Sequence, residues 1–124
     1  MQSDERPAMG TQGGFTDPAV VAVVATTPQT VLDDTYRAMV MAGIIRHLDP
    51  EIATLLKINI SWQHWYPACS TSPWQLEGVI RGLNQLGHRQ LIGAHNGTVV
   101  VDSFEGEANN KHKVVQDKYD LPTV

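Results

Sequence analysis

Two short apolar runs, residues 53–60 (ATLLKINI) and 91–94 (LIGA), bracket a stretch with helical spacing. That arrangement constrains the fold more than anything else in the chain. Apolar runs this short, bounded by turn residues, read as buried strands. Between them, Ser72-Pro73-Trp74-Gln75 carries a capping-box pattern with proline at the first helical position. Leu76, Val79, Ile80, Leu83 and Leu86 recur as a buried stripe, and Gly87 is placed to close the helix. Strand, loop, helix and strand in this order argue for parallel strands joined by a right-handed crossover. In such sheets ligands bind beyond the carboxyl ends of the strands. Both runs end in polar residues there: Lys57 and Asn59 after the first, His95 and Asn96 after the second.

The flanking sequence extends the pattern. Residues 19–26 (AVVAVVAT) are valine-rich and suit a further strand buried on both faces. Thr27-Pro28 is placed to open a helix, with Asp33 and Asp34 near its positive end. Leu32, Tyr36, Met39, Val40, Gly43 and Ile44 give that helix an apolar face. Arg46 and His47 lie near its end, and Asp49-Pro50 stops it. Residues 61–72 (SWQHWYPACSTS) form a loop with three aromatics, Trp62, Trp65 and Tyr66. Asn96-Gly97 signals a turn. Residues 98–104 (TVVVDSF) then read as a fourth strand, paired antiparallel, or as an extended loop. A polar helix is expected from Glu107 to Lys118, with Val114 and Val115 inward. Leu121 to Val124 reads as the start of another strand. The fold class is α/β: a three-layer, Rossmann-like unit with a short, mainly parallel sheet, in keeping with a piece of a larger domain. Residues 1–16 read as a flexible leader and 17–124 as a single domain.

At 124 residues the chain holds one domain with a real core. Its net charge is −4, and the nine lysines and arginines are scattered. That argues against a nucleic-acid or anionic-membrane surface. Cys69 stands alone, so no internal disulfide and no Cys-ligated iron–sulfur cluster can form within the chain. A single cysteine suits a reducing, cytoplasmic setting. No run approaches the roughly 18–20 apolar residues of a membrane span.

The words within these elements resemble the prokaryotic family catalogued as domain of unknown function 362. Lys57-Ile58-Asn59 stands where members carry Lys-Pro-Asn. Thr71-Ser72-Pro73 stands where a Thr-Thr/His-Pro phrase opens a helix. Gly93-Ala94-His95-Asn96-Gly97 stands where a strand ends in Gly-Asp/Glu-Ser-Pro-Gly. Lys118-Tyr119-Asp120-Leu121-Pro122 is similar to the family's downstream phrase. The resemblance covers roughly residues 19–124, about half of a typical member. Many members continue into a ferredoxin-like segment that is absent here. Ile58, Ala94 and His95 depart from the family pattern. The resemblance implies the fold and a redox- or metal-linked setting, with no settled activity.

Several side chains could carry chemistry. Lys57 offers a charge for a phosphate or carboxylate and Asn59 an orienting amide, although a solvated lysine beside a loop-capping asparagine is the plainer reading. Thr71 and Ser72 precede a helix N-terminus, where free N–H groups suit an anion. His64, Cys69 and His95, with Asp102 as a possible fourth, are the metal-like set, at no standard zinc spacing. Cys69 with His64 or His95 could form a nucleophile pair, without any flanking signature. Trp62, Trp65, Tyr66 and Trp74 could line a pocket or an interface, or close the end of the core. Asp102, Glu105 and Glu107 read as a solvated acidic loop. No nucleotide fingerprint is present, and the sequence names no cofactor.

The leading expectation is a small-ligand or anion-binding domain. Its site comprises Lys57, Asn59, Thr71, Ser72, His95 and Asn96. The alternative is a non-catalytic self-association or interaction module: a homo-oligomer, or a chain that lacks a partner segment. A metal-dependent enzyme using His64, Cys69 and His95 is the weaker third.

Overall fold

The structure, a computed structural model, describes residues 20–124. The leader expected over 1–16, and residue 19 of the first apolar run, lie outside them. The described chain has a small α/β fold with a short parallel sheet. Its elements are α1 (Val31–Met41), a 3-10 turn (Ile44–Arg46), β1 (Thr54–Lys57), α2 (Pro73–Gln85), β2 (Leu91–Ala94), α3 (Ser103–Asn109) and α4 (His112–Lys118).

β1 and β2 are parallel, with Thr54 opposite Leu91 and Lys57 opposite Ala94. The chain end adds a third line of pairing. Gly93 bridges Thr123 in parallel, Gly93 N–H donates to Pro122 and His95 N–H to Val124. The strand expected at 121–124 thus pairs with β2, on the side away from β1.

Side-chain alternation sets the core. Leu56, Ile58 and Leu91 point to one face of the sheet and meet Leu76, Ile80 and Leu83 of α2 and Val115 of α4. Ile60 and Leu121 complete this cluster, and Met39 of α1 packs against it. The helices therefore cover one face. On the other, Leu55 is 64% exposed, Lys57 is exposed, and Ile92 and Ala94 are half-buried. Of the three layers expected, the described residues supply the sheet and the helices on one side.

α2 follows its sequence signals closely at the C-terminal end. Gly87 sits at φ +93°, its N–H donates to Asn84, and His88 N–H donates back to Leu83. That pair of bonds is a Schellman closure, which needs the left-handed conformation glycine adopts without strain. At the N-terminal end the capping box does not form. The Ser72 side chain makes no capping bond, and the backbone oxygen of Ser72 takes both the Gln75 and Leu76 N–H groups. α1 seats against α2 at glycine. An added Cβ on Gly78 would lie 2.7 Å from Thr35 Cβ.

Four expectations are corrected. Residues 20–26 form no strand. α1 starts at Val31 because Thr27 O accepts from both Thr30 and Val31, which uses Thr27-Pro28 in a turn. It ends at Met41 because Gly43 turns left-handed at φ +82°, so Ile44 and Arg46 belong to a separate turn. Residues 98–104 form no strand. Thr98 folds back on Val101, and the Asp102 side chain accepts from Phe104 and Glu105 N–H, which starts α3 four residues before the expected helix. The expected 107–118 helix is broken by Lys111 at φ +69°, and the turn of α4 leaves Val115 buried but Val114 66% exposed.

Candidate functional site

Polar side chains gather where the carboxyl ends of β1 and β2 meet α3 and α4. His95 leaves the end of β2 and turns inward. Its side chain is 2% exposed, and its Nε2 lies 2.7 Å from Glu107 Oε1 of α3. Gln116 Nε2 of α4 donates to the same oxygen at 2.7 Å. Phe104 covers the imidazole edge-on, with ring centroids 4.9 Å apart. Glu107, expected in a solvated acidic loop, is therefore a buried acceptor for two elements.

A second set lies beside it. Asn59 and Thr71 are joined twice: Thr71 N–H donates to Asn59 O, and Asn59 N–H donates to Thr71 Oγ1. Asn59 Nδ2 also donates to Ser61 Oγ and to Cys69 O, which closes the aromatic loop onto the strand end. His112, the first residue of α4, is fully buried with Nε2 against Thr71 O. The Ser72 Oγ and His112 Nδ1 atoms are buried without a hydrogen-bond partner among the described residues. α4 thus touches both sets, through His112 at one turn and Gln116 at the next.

The aromatic loop is stapled down from α3 and the residues after it. Asn110 donates to Trp62 O and accepts from Tyr66 N–H, while Asn109 Nδ2 donates to Gln63 O at 2.8 Å. The backbone of this loop is fixed, yet Trp62, Trp65, Tyr66 and Trp74 remain exposed.

Four of the six ligand candidates thus stand at the strand ends in two neighbouring sets: Asn59, Thr71 and Ser72 in one, His95 in the other. Lys57 is exposed and donates from Nζ to Ile58 O at 3.0 Å, and Asn96 is exposed beyond His95. The metal-like set does not assemble. His95 is held by Glu107, Cys69 donates from Sγ to Tyr66 O, His64 lies edge-on to Trp62, and Asp102 caps α3. Among the described residues no group of three His, Cys, Asp or Glu side chains is placed to hold a metal ion. Cys69 and His95 likewise have other partners and form no nucleophile pair.

The sequence does not single out Asn110, His112 or Gln116, and it places Glu107 in a solvated acidic loop. A signal existed: Asn109-Asn110-Lys111-His112 is a poor helix interior, because asparagine favours caps and turns. Away from the site, the Lys118 ammonium 2.6 Å from Glu77 holds that carboxyl below its ordinary range, and burial pushes the Tyr119 hydroxyl up. No described helix is long and apolar enough to cross a membrane.

Comparison with family models, with curated proteins and with solved structures found no match.

Proposed function

We propose that the domain binds a small anionic ligand at the carboxyl ends of β1 and β2, against the N-terminus of α2. The observation that carries this reading is that, of three buried side-chain atoms without partners among the described residues, two, Ser72 Oγ and His112 Nδ1, flank the start of α2, while the third, Thr123 Oγ1, lies beside Gly93 of β2. A buried polar group left unpaired costs about 1–3 kcal/mol, so such groups are rare in native cores. Both Ser72 Oγ and His112 Nδ1 lie beside Thr71, where α2 begins. Ser72 Oγ–H can donate to a ligand oxygen, while His112 Nε2 donates to Thr71 O and leaves Nδ1 as an acceptor, which suits an O–H on the ligand such as that of a phosphate monoanion. Asn59, Thr71 and His95 stand at the same strand ends, and Lys57 supplies positive charge from the exposed side of β1. Kinship with the family catalogued as domain of unknown function 362 is part of the proposal, and it rests on the words at 57–59, 71–73 and 93–97. The single cysteine supports a cytoplasmic setting, and the acidic charge balance supports a partner other than nucleic acid.

Titration calorimetry with inorganic phosphate, sulfate and citrate tests the site. Saturable binding with Kd below about 1 mM, weakened at least about tenfold by Ser72→Ala and by Lys57→Ala, is expected. No saturable binding of any of the three, or unchanged affinity in both variants, overturns it.

A second reading has its own support. Trp62, Trp65, Tyr66 and Trp74 are exposed, as is Leu55 on the bare sheet face, and exposed aromatic clusters mark interaction surfaces. Analytical ultracentrifugation of a strictly monomeric chain, up to the highest soluble concentration, would count against self-association.

A further inference from the structure

The outer edge of β1 is open among the described residues. Thr54 N–H donates to Gln90 O and Ile58 N–H to Ala94 O, so these groups point towards β2. By the two-residue alternation of a strand, the N–H and C=O groups of Leu55 and Lys57 point the other way, and no backbone partner meets them among the described residues. An unpaired apolar edge of this kind invites another strand.

A valine-rich segment of the same chain lies free to fill it. Residues 20–26 belong to no helix and pair with no strand, with Val21 84% and Val23 82% exposed while Ala22 and Val24 are half-buried. Residues of the segment, Ala22, Val23, Val24 and Thr26, line an open space of about 330 Å³ together with Val31, Thr35 and Ala38 of α1 and with Trp74.

We propose that residues 20–26 act as a strap that closes on the free edge of β1 as a parallel strand. Four observations converge on this edge. The connection from residue 26 to β1 contains α1 and exceeds the dozen or so residues a parallel crossover needs. α1 lies on the face of the sheet that α2 covers, with Met39 against the core. The sheet already steps in one direction, from β1 to β2 to the chain end, and a right-handed crossover through α1 puts the preceding strand on the outer side of β1. Finally, the alternation matches. Ala22 and Val24 turn toward the helices, as Leu56 does, while Val21 and Val23 turn outward, as Leu55 does. Closure removes the open edge and places Val21 and Val23 on the same side as Leu55. The strap is independent of any ligand at the strand ends.

Amide hydrogen exchange on the full chain reads the closed state directly. Exchange of the Leu55 and Lys57 amides slowed at least about tenfold relative to an unstructured chain is expected. The slowing should disappear in Val24→Asp, while the core amides of Ile58 and Ile80 stay protected and report an intact fold. A second measurement fixes the origin of the strand. In a Cys69→Ser background, Val23→Cys with Leu55→Cys should oxidise to a disulfide within one chain, because neighbouring strand positions fall inside the range of about 4.4–6.8 Å between Cα atoms. Unprotected Leu55 and Lys57 amides in the wild-type chain overturn the proposal. So does a disulfide that forms only between two chains, since a second copy then supplies the strand.

Discussion

Removing the Glu107 carboxylate should destabilise the fold far more than removing an ordinary surface acid. Glu107 Oε1 accepts two hydrogen bonds of 2.7 Å, from His95 on the sheet and Gln116 on α4. Both ends of the His95 contact are buried, with side chains 2% and 7% exposed. Glu107→Ala leaves two buried groups without a partner. Each orphaned group costs about 1–3 kcal/mol, so the pair costs about 4 kcal/mol at mid-range. It is a large part of the roughly 5–15 kcal/mol that holds a domain together. Glu107→Gln keeps an oxygen in reach and should cost only about 1–2 kcal/mol. Urea unfolding followed by tryptophan fluorescence is the assay. At a slope near 2 kcal/mol per molar, the alanine variant should unfold at about 2 M less urea than the parent. The cycle closed by His95→Ala should show coupling above about 1 kcal/mol. A loss below about 1 kcal/mol in Glu107→Ala would mean the carboxylate behaves as an exposed ion pair, and the buried cluster described above would be wrong.

Three further outcomes follow from the packing. Gly78→Ala should lower the melting temperature: overpacking against Thr35 Cβ at 2.7 Å costs about 1–3 kcal/mol, against a gain in helix propensity of about 1 kcal/mol. A raised melting temperature would show that α1 can step back without penalty. Ile58→Ala empties a fully buried position at the centre of the core and should cost about 2–5 kcal/mol in the same urea assay; a loss under about 1 kcal/mol would contradict that placement. Glu77 is held below its ordinary range by Lys118, with Tyr119 adding a second hydrogen bond. A lowered carboxyl pKa gives stability that is present above the unfolded value and lost as pH falls through the folded one. Glu77→Gln should therefore flatten the decline in stability below about pH 4.3, and superposed acid limbs for the two proteins would exclude the coupling.

Where one local signal had no competitor, sequence and structure agree. LIGA became β2, and Gly87 closed α2, because nothing else in those stretches offered the backbone another option. Thr27-Pro28 had a competitor. The same residues that can start a helix can also make a turn, and Thr30 at the next turn provided a second start. The pattern TVVVDSF reads as a strand by β-branched content, but Asp102 caps a helix in its middle, and one capping side chain with two bonds outweighed the valines. The strand-end position of the candidate site is legible from Lys57-Ile58-Asn59 and His95-Asn96. Its inner partners are not, because Glu107 and Gln116 read as the polar face of a solvated helix. Only tertiary contact shows that this face points inward.

That inward polar face bears on what the site is for. Glu107, Asn110, His112 and Gln116 are all buried, at positions where apolar residues of similar volume would often be neutral or stabilising. Each makes its bonds to a different element: Glu107 to β2 and α4, Asn110 to the aromatic loop, His112 to the turn before α2. Together they permit α3 and α4 to seat in one register only, which an apolar set would specify less sharply. Positioning explains the atoms that are paired. It does not explain His112 Nδ1 and Ser72 Oγ, which add nothing to register while they lack partners. On the proposed reading, the fixed frame around these two atoms preorganises them for a ligand. The argument fails if Ser72→Ala and His112→Phe each raise stability without altering anion binding, because the two atoms would then be packing faults.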